Sequence, residues 1–217
     1  MKLFHFLKLM SSTVYEECRE QKHKTDQGGP CTSLTVWRKS LLMSCNGFTV
    51  IDSNGNLVYR VDNYGGRPEE VTLMDGSGTP LLTVRRRKAL TVADSWLVYE
   101  GEEGGRGRRC RTSKSLKKPL CSLRKHINIL HANLNVLAYV FRETSDKRHA
   151  YVIEGSYTHR SCKVLDESRT VVAEIKRKED IKGGVSFGLE VFLLLVQPGF
   201  DPGFAMALVL LLDQMFS

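Results

Sequence analysis

The chain has 217 residues, of which 41% are hydrophobic and 26% are charged. These fractions are typical of a soluble globule and exclude an intrinsically disordered chain, while the length allows one large β domain or two small ones. Six cysteines are scattered without a Cys-x-x-Cys pair. That spacing argues against a disulfide framework and favours reduced thiols in a cytosolic or nuclear setting.

The positive charge is concentrated in two stretches. The net charge is +8, yet residues 85–88 are four consecutive basic residues, and residues 106–125 contain nine basic residues and no acidic one. Focal charge of this kind attracts the phosphates of lipid headgroups or of nucleic acids. A solvated loop that only keeps the protein soluble would give the same pattern.

Residues 1–30 are predicted to form a flexible lead-in. The first ten residues superficially suggest a signal peptide, but His5 and Lys8 interrupt the apolar run, and no small-residue cleavage site follows cleanly. Residues 16–29 are polar and end in glycine before Pro30. We therefore expect a single folded domain over residues 31–217.

From residue 35 onward, short β-strands alternate with turns. Asn54-Gly55 separates two β-branched and aromatic runs, which is a strong hairpin signal because both residues tolerate positive φ. Further hairpins are predicted within residues 71–84 and 90–99, and residues 101–109 are predicted to form a loop. The other candidate strands are residues 127–130, 136–141, 151–154, 162–165, 171–175 and 191–196. This spacing predicts an all-β sandwich or barrel.

The strand that contains Leu82 and Val84 runs directly into the basic residues. If it continued, the alternation of side chains would turn Arg86 and Lys88 towards the core, where an unpaired charge is very costly. We therefore expect the strand to end or bulge near Arg85 and to present the basic residues at a rim.

A hydrophobic helix is predicted at the C-terminus. Asp201 is a suitable N-cap, Pro202 fits the first helical position, and residues 204–212 are apolar on every side. A bilayer span needs roughly 20 apolar residues, and Asp213 and Gln214 interrupt this run earlier. A helix that is apolar all round must be buried, so we expect the sheet to enclose it.

Several blocks of the sequence resemble the plant LURP-one-related proteins. They are TVWRKSL at 35–41, GFTV at 47–50, DSNGNLVYRVD at 52–62, LLTVRRRK at 81–88, WLVY at 96–99 and GSYTHRSC at 155–162. Residues 206–215 resemble the C-terminal signature of that family. Residues 101–135 depart from the family pattern.

The resemblance implies a tubby C-terminal-like fold, which is a closed antiparallel β-barrel of about twelve strands around a central hydrophobic helix. By resemblance, this fold is shared with tubby proteins and phospholipid scramblases. It is associated with phosphoinositide headgroups and with membrane-tethered transcriptional regulators, and the plant family is linked to pathogen defence.

No catalytic constellation stands out, so we expect neither an enzyme nor a cofactor. Gly184-Val185-Ser186-Phe187-Gly188 matches the Gly-x-Ser-x-Gly elbow, but a strand follows it and no histidine lies downstream. His126 and His131 have no ligand partners at zinc spacing, so we expect no metal site.

The leading hypothesis is a non-catalytic regulatory module whose exposed basic residues bind anionic lipid headgroups at a membrane surface. It is expected to be a monomer without an integral membrane span, cytoplasmic, and in part at membranes or in the nucleus. The candidate anion-binding residues are Arg85, Arg86, Arg87, Lys88, Lys176, Arg177 and Lys178, the last three on a strand expected near the first four.

Two alternatives stay open. One is non-specific binding of nucleic acid in transcriptional regulation, in which a basic loop contacts phosphates. The residues of that loop are Arg106, Arg108, Arg109, Arg111, Lys114, Lys117 and Lys118. The other alternative is a scramblase-like protein, for which the resemblance is one of fold alone. Protein partners are a further possibility for the regulatory module.

Overall fold

The computed structural model of the chain describes residues 29–42, 45–62, 69–87, 95–101, 118–126, 135–142, 148–178 and 188–216. Three predictions lie wholly or mostly outside these residues: the lead-in at 1–30, of which only residues 29 and 30 are described, and the strands at 90–92 and 127–130. Residues 184–187 of the Gly-x-Ser-x-Gly segment, the predicted loop at 101–109 except residue 101, and most of the basic loop also lie outside them.

The described chain forms twelve β-strands followed by one helix. The strands are β1 (Thr32–Trp37), β2 (Phe48–Ile51), β3 (Leu57–Val61), β4 (Glu70–Asp75), β5 (Pro80–Arg87), β6 (Ser95–Glu100), β7 (Cys121–Lys125), β8 (Val136–Phe141), β9 (Tyr151–Ser156), β10 (Ser161–Leu165), β11 (Val171–Arg177) and β12 (Val191–Val196). The helix, α1, spans Pro202–Phe216.

The strands close into a barrel. Each strand pairs antiparallel with the next one along the chain, and β1 pairs antiparallel with β12. The predicted closed barrel is therefore confirmed, and closure leaves no open sheet edge. Because the strands alternate in direction, all odd-numbered strands finish at one end of the barrel, which we call the basic end. The even-numbered strands finish at the opposite end.

The helix lies inside the barrel, as its composition predicts. The N–H of Phe204 donates to Asp201 Oδ1 at 2.6 Å, so Asp201 caps the helix at the opposite end. Leu208, Leu210 and Leu211 are each at most 1% exposed. Burying a leucine contributes about 1.5–3 kcal/mol, so this helix is a large part of the core. It runs towards the basic end, where Phe216 finishes it.

Three hairpins at the opposite end use the same aspartate turn. Asp52, Asp75 and Asp166 each follow or end a strand, and one carboxylate oxygen of each accepts from the N–H groups two and four residues later. The predicted Asn54-Gly55 hairpin is one of them, and Gly55 has a φ of 84°. Local side-chain acceptors thus fix where these strands reverse.

One sequence expectation near the basic residues is wrong, because strand β5 does not end or bulge near Arg85 but continues through Arg87. One strand was not predicted: Cys121–Lys125, within the basic stretch at 106–125, forms β7 between β6 and β8. In β7 the apolar Cys121 and Leu123 alternate with polar residues, which is the half-buried strand pattern that the surrounding basic residues hid.

Candidate functional site

The arginines of β5 point in alternate directions. Arg86 lies on the inner side, with its guanidinium 5.8 Å from the ring of Trp96, a core residue. Arg85 lies on the outer side, where its Nη2 is 2.7 Å from Glu70 and its guanidinium faces Tyr99. Arg87 is exposed at the end of the strand, and Lys88 lies outside the described residues. Because Arg86 stacks on Trp96 and lies at the mouth of the barrel, β5 can continue through Arg87 without burying an unpaired charge.

Strand β7 brings two further basic residues beside β5. In the pairing register, Arg87 lies opposite Ser95, and Ser95 lies opposite Arg124. Adjacent strands are about 4.8 Å apart, so the backbones at Arg87 and Arg124 are separated by about 10 Å. Both residues are exposed and lie on the outer side of the same end.

Lys125 completes this cluster on the inner side of the barrel mouth. Its Nζ donates to the carbonyl of Met215 at 3.3 Å and lies 4.5 Å from the centre of the Phe216 ring. A cation at the C-terminal end of a helix is favourable, because carbonyls there lack partners and carry partial negative charge. We call Arg86, Arg87, Arg124 and Lys125 the basic rim.

Arg124 and Lys125 were not predicted as site residues from the sequence. Their signal was present, because both belong to the basic stretch at 106–125. What the sequence lacked was the pairing of β6 with both β5 and β7, which together place Arg124 two strands from Arg87.

The second predicted basic segment lies elsewhere. In the barrel, β11 is six strands from β5 in either direction, so the expectation that Lys176, Arg177 and Lys178 lie near residues 85–88 is wrong. Lys176 pairs with Glu174 at 3.0 Å, and Arg177 is exposed. Lys178 is 3% exposed and its Nζ donates to Thr35 Oγ1 at 3.3 Å. Both segments do belong to the basic end.

The predicted phosphate-contacting loop cannot be placed. Its residues Arg106, Arg108, Arg109, Arg111, Lys114 and Lys117 lie outside the described residues. Lys118 is described: it is exposed and precedes β7, which puts it at the opposite end from the basic rim.

A buried polar cluster lies at the basic end, at the last turn of α1. Asp213 is fully buried, and its carboxylate accepts from Tyr157 Oη at 3.0 Å and from Arg38 Nη2 at 3.3 Å. Arg160, 5% exposed, lies with its guanidinium 4.2 Å from the Tyr157 ring and 4.4 Å from the Phe192 ring. The cluster ties the helix to β1, to β12 and to the β9–β10 turn.

The charges in this cluster change the pKa values of their neighbours. Burial, reinforced by the negative charge of Asp213, raises the pKa of Tyr157 well above its usual range, so its hydroxyl stays a donor. Burial opposes the charge of Arg38, but Asp213 and Glu190 outweigh it and raise the pKa of that guanidinium. The cluster therefore holds a neutral Tyr157 and a charged Arg38 at all ordinary pH values.

In the described part of the chain, no three histidine, cysteine or carboxylate side chains gather closely enough to hold a metal ion. Among the same residues, no helix has the length and apolar character needed to cross a membrane.

Comparison with known proteins identifies relatives over the whole barrel. A family model described as LURP-one-related matches residues 32–213. The LURP-one-related 17 protein of Arabidopsis thaliana is 50% identical over 99% of this chain and 100% of its own length. The LURP-one-related 8 protein of the same plant is 48% identical over 84% of this chain and 86% of its own. A crystal structure of an Arabidopsis thaliana protein, 27% identical, superposes with a TM-score of 0.56 over 84% of this chain and 90% of that one.

Proposed function

The chain belongs to the LURP-one-related family, and within it we propose that this protein is a non-catalytic binding module for the phosphorylated headgroups of phosphoinositides. The single observation that carries the proposal is the row Arg87, Ser95 and Arg124, flanked by Arg86 and Lys125. The proposed place of action is the cytoplasmic face of a membrane.

The chemistry of the basic rim suits a phosphate group. Arginine presents planar, bidentate donors that match phosphate oxygens, and lysine adds a compact charge. The side chains of Arg87 and Arg124 are long enough to converge, because β5 and β7 are separated by one strand and therefore lie about 10 Å apart. Ser95 lies between them in the register and adds a hydroxyl.

The expected affinity is that of a reversible peripheral protein. Each basic residue near an anionic surface contributes about 1 kcal/mol, and this attraction weakens within a Debye length of about 8 Å at physiological ionic strength. Recruitment should therefore be strong at low salt and partly lost at physiological salt.

Sedimentation with vesicles tests the proposal. The variant Arg87→Gln with Arg124→Gln should bind phosphatidylcholine vesicles containing phosphatidylinositol bisphosphate about thirtyfold more weakly than the wild type, since two contacts are removed. The matched control is Arg142→Gln with Arg148→Gln, which removes the same charge from exposed residues at the opposite end. The control should bind like the wild type.

Two results would contradict the proposal. One is equal recovery on vesicles with and without the phosphoinositide. The other is an equal loss of binding in both double variants, which would mean that net charge and not the basic rim matters. Binding to single-stranded oligonucleotides with no vesicle binding would replace it with nucleic-acid recognition.

The proposed link to plant defence rests on the family resemblance. Increased pathogen growth on plants that lack the protein, reversed by the wild-type chain and not by the Arg87/Arg124 variant, would support it and connect it to the basic rim. Reversal by both chains would separate the defence role from headgroup binding.

A further inference from the structure

Two exposed leucines share the basic end with the basic rim. The exposed large hydrophobic residues of the described chain are Leu42 at 47%, Leu120 at 47% and Leu189 at 42%. Leu42 follows the end of β1 and Leu189 precedes the start of β12, so both lie at the basic end. Leu120 precedes β7 and lies at the opposite end.

Hydrogen bonds hold the described backbone at Leu42 and at Leu189. The N–H of Leu42 donates to Ser40 Oγ at 3.0 Å, and Ser40 Oγ donates to Asp62 at 3.0 Å. The carbonyl of Leu189 accepts from Arg160 Nε at 2.9 Å. Arg160 is itself buried against Tyr157, so the polar cluster around Asp213 supports the backbone at Leu189. Scattered exposed leucines are common on proteins, but these two lie at one end and each has a hydrogen-bonded backbone.

The two ends of the barrel differ in charge. At the basic end the carboxylates of Asp62, Glu70, Glu190 and Asp213 each form an ion pair with an arginine, and Glu69 is a further exposed carboxylate there. That end also carries further exposed or half-exposed cations: Lys39, Arg86, Arg87, Arg124, Lys125 and Arg177. The described charged residues of the opposite end include the carboxylates Asp52, Asp75, Glu100, Asp166, Glu167 and Asp201 and the cations Lys118, Arg142, Arg148 and Arg169. Among the described residues, cations thus outnumber carboxylates at the end where the two leucines lie and not at the opposite end.

We propose that the basic end is a membrane-docking face, on which Leu42 and Leu189 insert into the interface of an anionic bilayer while the basic rim holds headgroups. This inference rests on the proposed function and adds the orientation of the barrel. The leucines flank the β1–β12 pair, and the basic rim lies across the barrel on β5 and β7. A flat bilayer can contact the leucines and the basic rim at the same time, whereas a small soluble phosphate contacts only the basic rim.

Leucine insertion and headgroup binding make separable contributions. Insertion removes the apolar surface of a leucine from water, and the favourable free energy is proportional to the area removed. For a half-exposed leucine this corresponds to about a tenfold increase in affinity for vesicles. Binding of a free inositol phosphate involves no insertion. The variant Leu42→Ser with Leu189→Ser should therefore lose vesicle affinity and keep headgroup affinity.

The experiment compares this double variant, the wild type and the control Leu120→Ser, all as the full chain. Each is titrated with vesicles that contain phosphatidylinositol bisphosphate and, separately, with soluble inositol trisphosphate. We expect the double variant to bind vesicles about a hundredfold more weakly, with two leucines lost, and inositol trisphosphate unchanged. Leu120→Ser should match the wild type in both titrations.

Insertion is also measured directly with Leu42→Trp and Leu120→Trp. Lipids brominated in the acyl chains should quench the added fluorescence of Leu42→Trp and leave that of Leu120→Trp unchanged.

The outcomes distinguish this inference from the proposed function. Unchanged vesicle binding in Leu42→Ser with Leu189→Ser overturns membrane insertion and leaves headgroup binding intact. Wild-type binding of inositol trisphosphate without vesicle binding does the same and makes a free phosphate the ligand. If the wild type binds neither, both the inference and the proposed function are wrong.

Discussion

Asp213 shows how one residue can anchor the only helix among the described residues. Its carboxylate is the sole acidic group among the apolar side chains of α1, and it is fully buried against Tyr157 and against Arg38, whose side chain is 33% exposed. An ion pair with a buried member is weak evidence for net stabilisation, because the carboxylate loses its hydration and Arg38 loses part of its own. Removing one member is still costly, since the other is left without its partner. We therefore regard Asp213 as the group that fixes the position of the helix end.

The variant Asp213→Ala is expected to lower the free energy of unfolding by about 3 kcal/mol, because it leaves Arg38 and Tyr157 without their shared acceptor. Tyr157→Phe removes one hydrogen bond and should cost about 1–2 kcal/mol. Urea denaturation measures both. The ion pair of Arg142 with Glu167 is exposed, so Arg142→Ala serves as the control, with an expected change below about 0.5 kcal/mol. Equal effects of Asp213→Ala and Arg142→Ala would contradict this role.

At the scale of elements, the aspartate turns set the strand reversals. The residue three positions after the aspartate has positive φ in all three turns: Gly55 at 84°, Gly78 at 95° and Arg169 at 63°. Glycine adopts this conformation at little cost, whereas a residue with a Cβ atom is strained there. Arg169 occupies the position nonetheless, and its guanidinium donates to Glu154 at 2.8 Å.

Substitutions at residue 169 separate strain from ion pairing. Arg169→Ala and Arg169→Gly both lose the contact with Glu154, but only the glycine variant relieves the positive φ. We therefore expect the glycine variant to be more stable than the alanine variant by about 1 kcal/mol. Gly55→Ala should lower stability by a similar amount. Thermal unfolding checks the order of the variants, and an alanine variant as stable as the glycine variant would show that the turn is not strained.

At the scale of the whole molecule, closure of the barrel buries groups that titrate at high pH. Burial raises the pKa of both Cys121 and Cys162 to about 12, and that of Tyr157 is also raised. A raised pKa means that the native state keeps protons that the unfolded chain releases. The stability that depends on these protons is complete below the unfolded thiol pKa of 9.0 and is lost as the pH rises towards about 12.

The midpoint of thermal unfolding should therefore fall between about pH 9 and pH 12. The variant Cys121→Ala with Cys162→Ala should fall less steeply over that range, because alanine has no proton to lose. A variant with the same slope as the wild type would show that the buried thiols do not cause the decline. The double variant and the wild type are compared by slope and not by absolute midpoint, because the substitutions also leave small cavities.

Local signals made most elements predictable. Short runs of apolar, β-branched and aromatic residues marked strands such as β2, β8 and β12, Asn54-Gly55 marked a hairpin, and Asp201-Pro202 marked the start of the helix. Each signal works over a few residues, because it depends on side-chain periodicity or on a hydrogen bond within one turn. The strand β7 was not predicted, because its apolar residues are few and basic residues surround them.

The candidate site was predictable only in part, because sequence signals act over a few residues and the site joins residues from separate strands. Arg86 and Arg87 were identified from their charge, but Arg124 reaches them through two strand pairings that no local pattern specifies. Closure of the barrel likewise separated residues 176–178 from β5 by six strands. The two partners of Asp213, Arg38 and Tyr157, likewise come from parts of the chain that are distant from α1 in sequence.

The sequence by itself determined that this protein is a β-barrel of LURP-one-related type around an apolar helix, since composition, periodicity and family blocks are all properties of the chain. The tertiary structure alone decided which charges are neighbours, which are buried and which end of the barrel carries the basic rim with Leu42 and Leu189. The reason is that register and closure join residues far apart in sequence, and a site made of such residues exists only after the strands have paired.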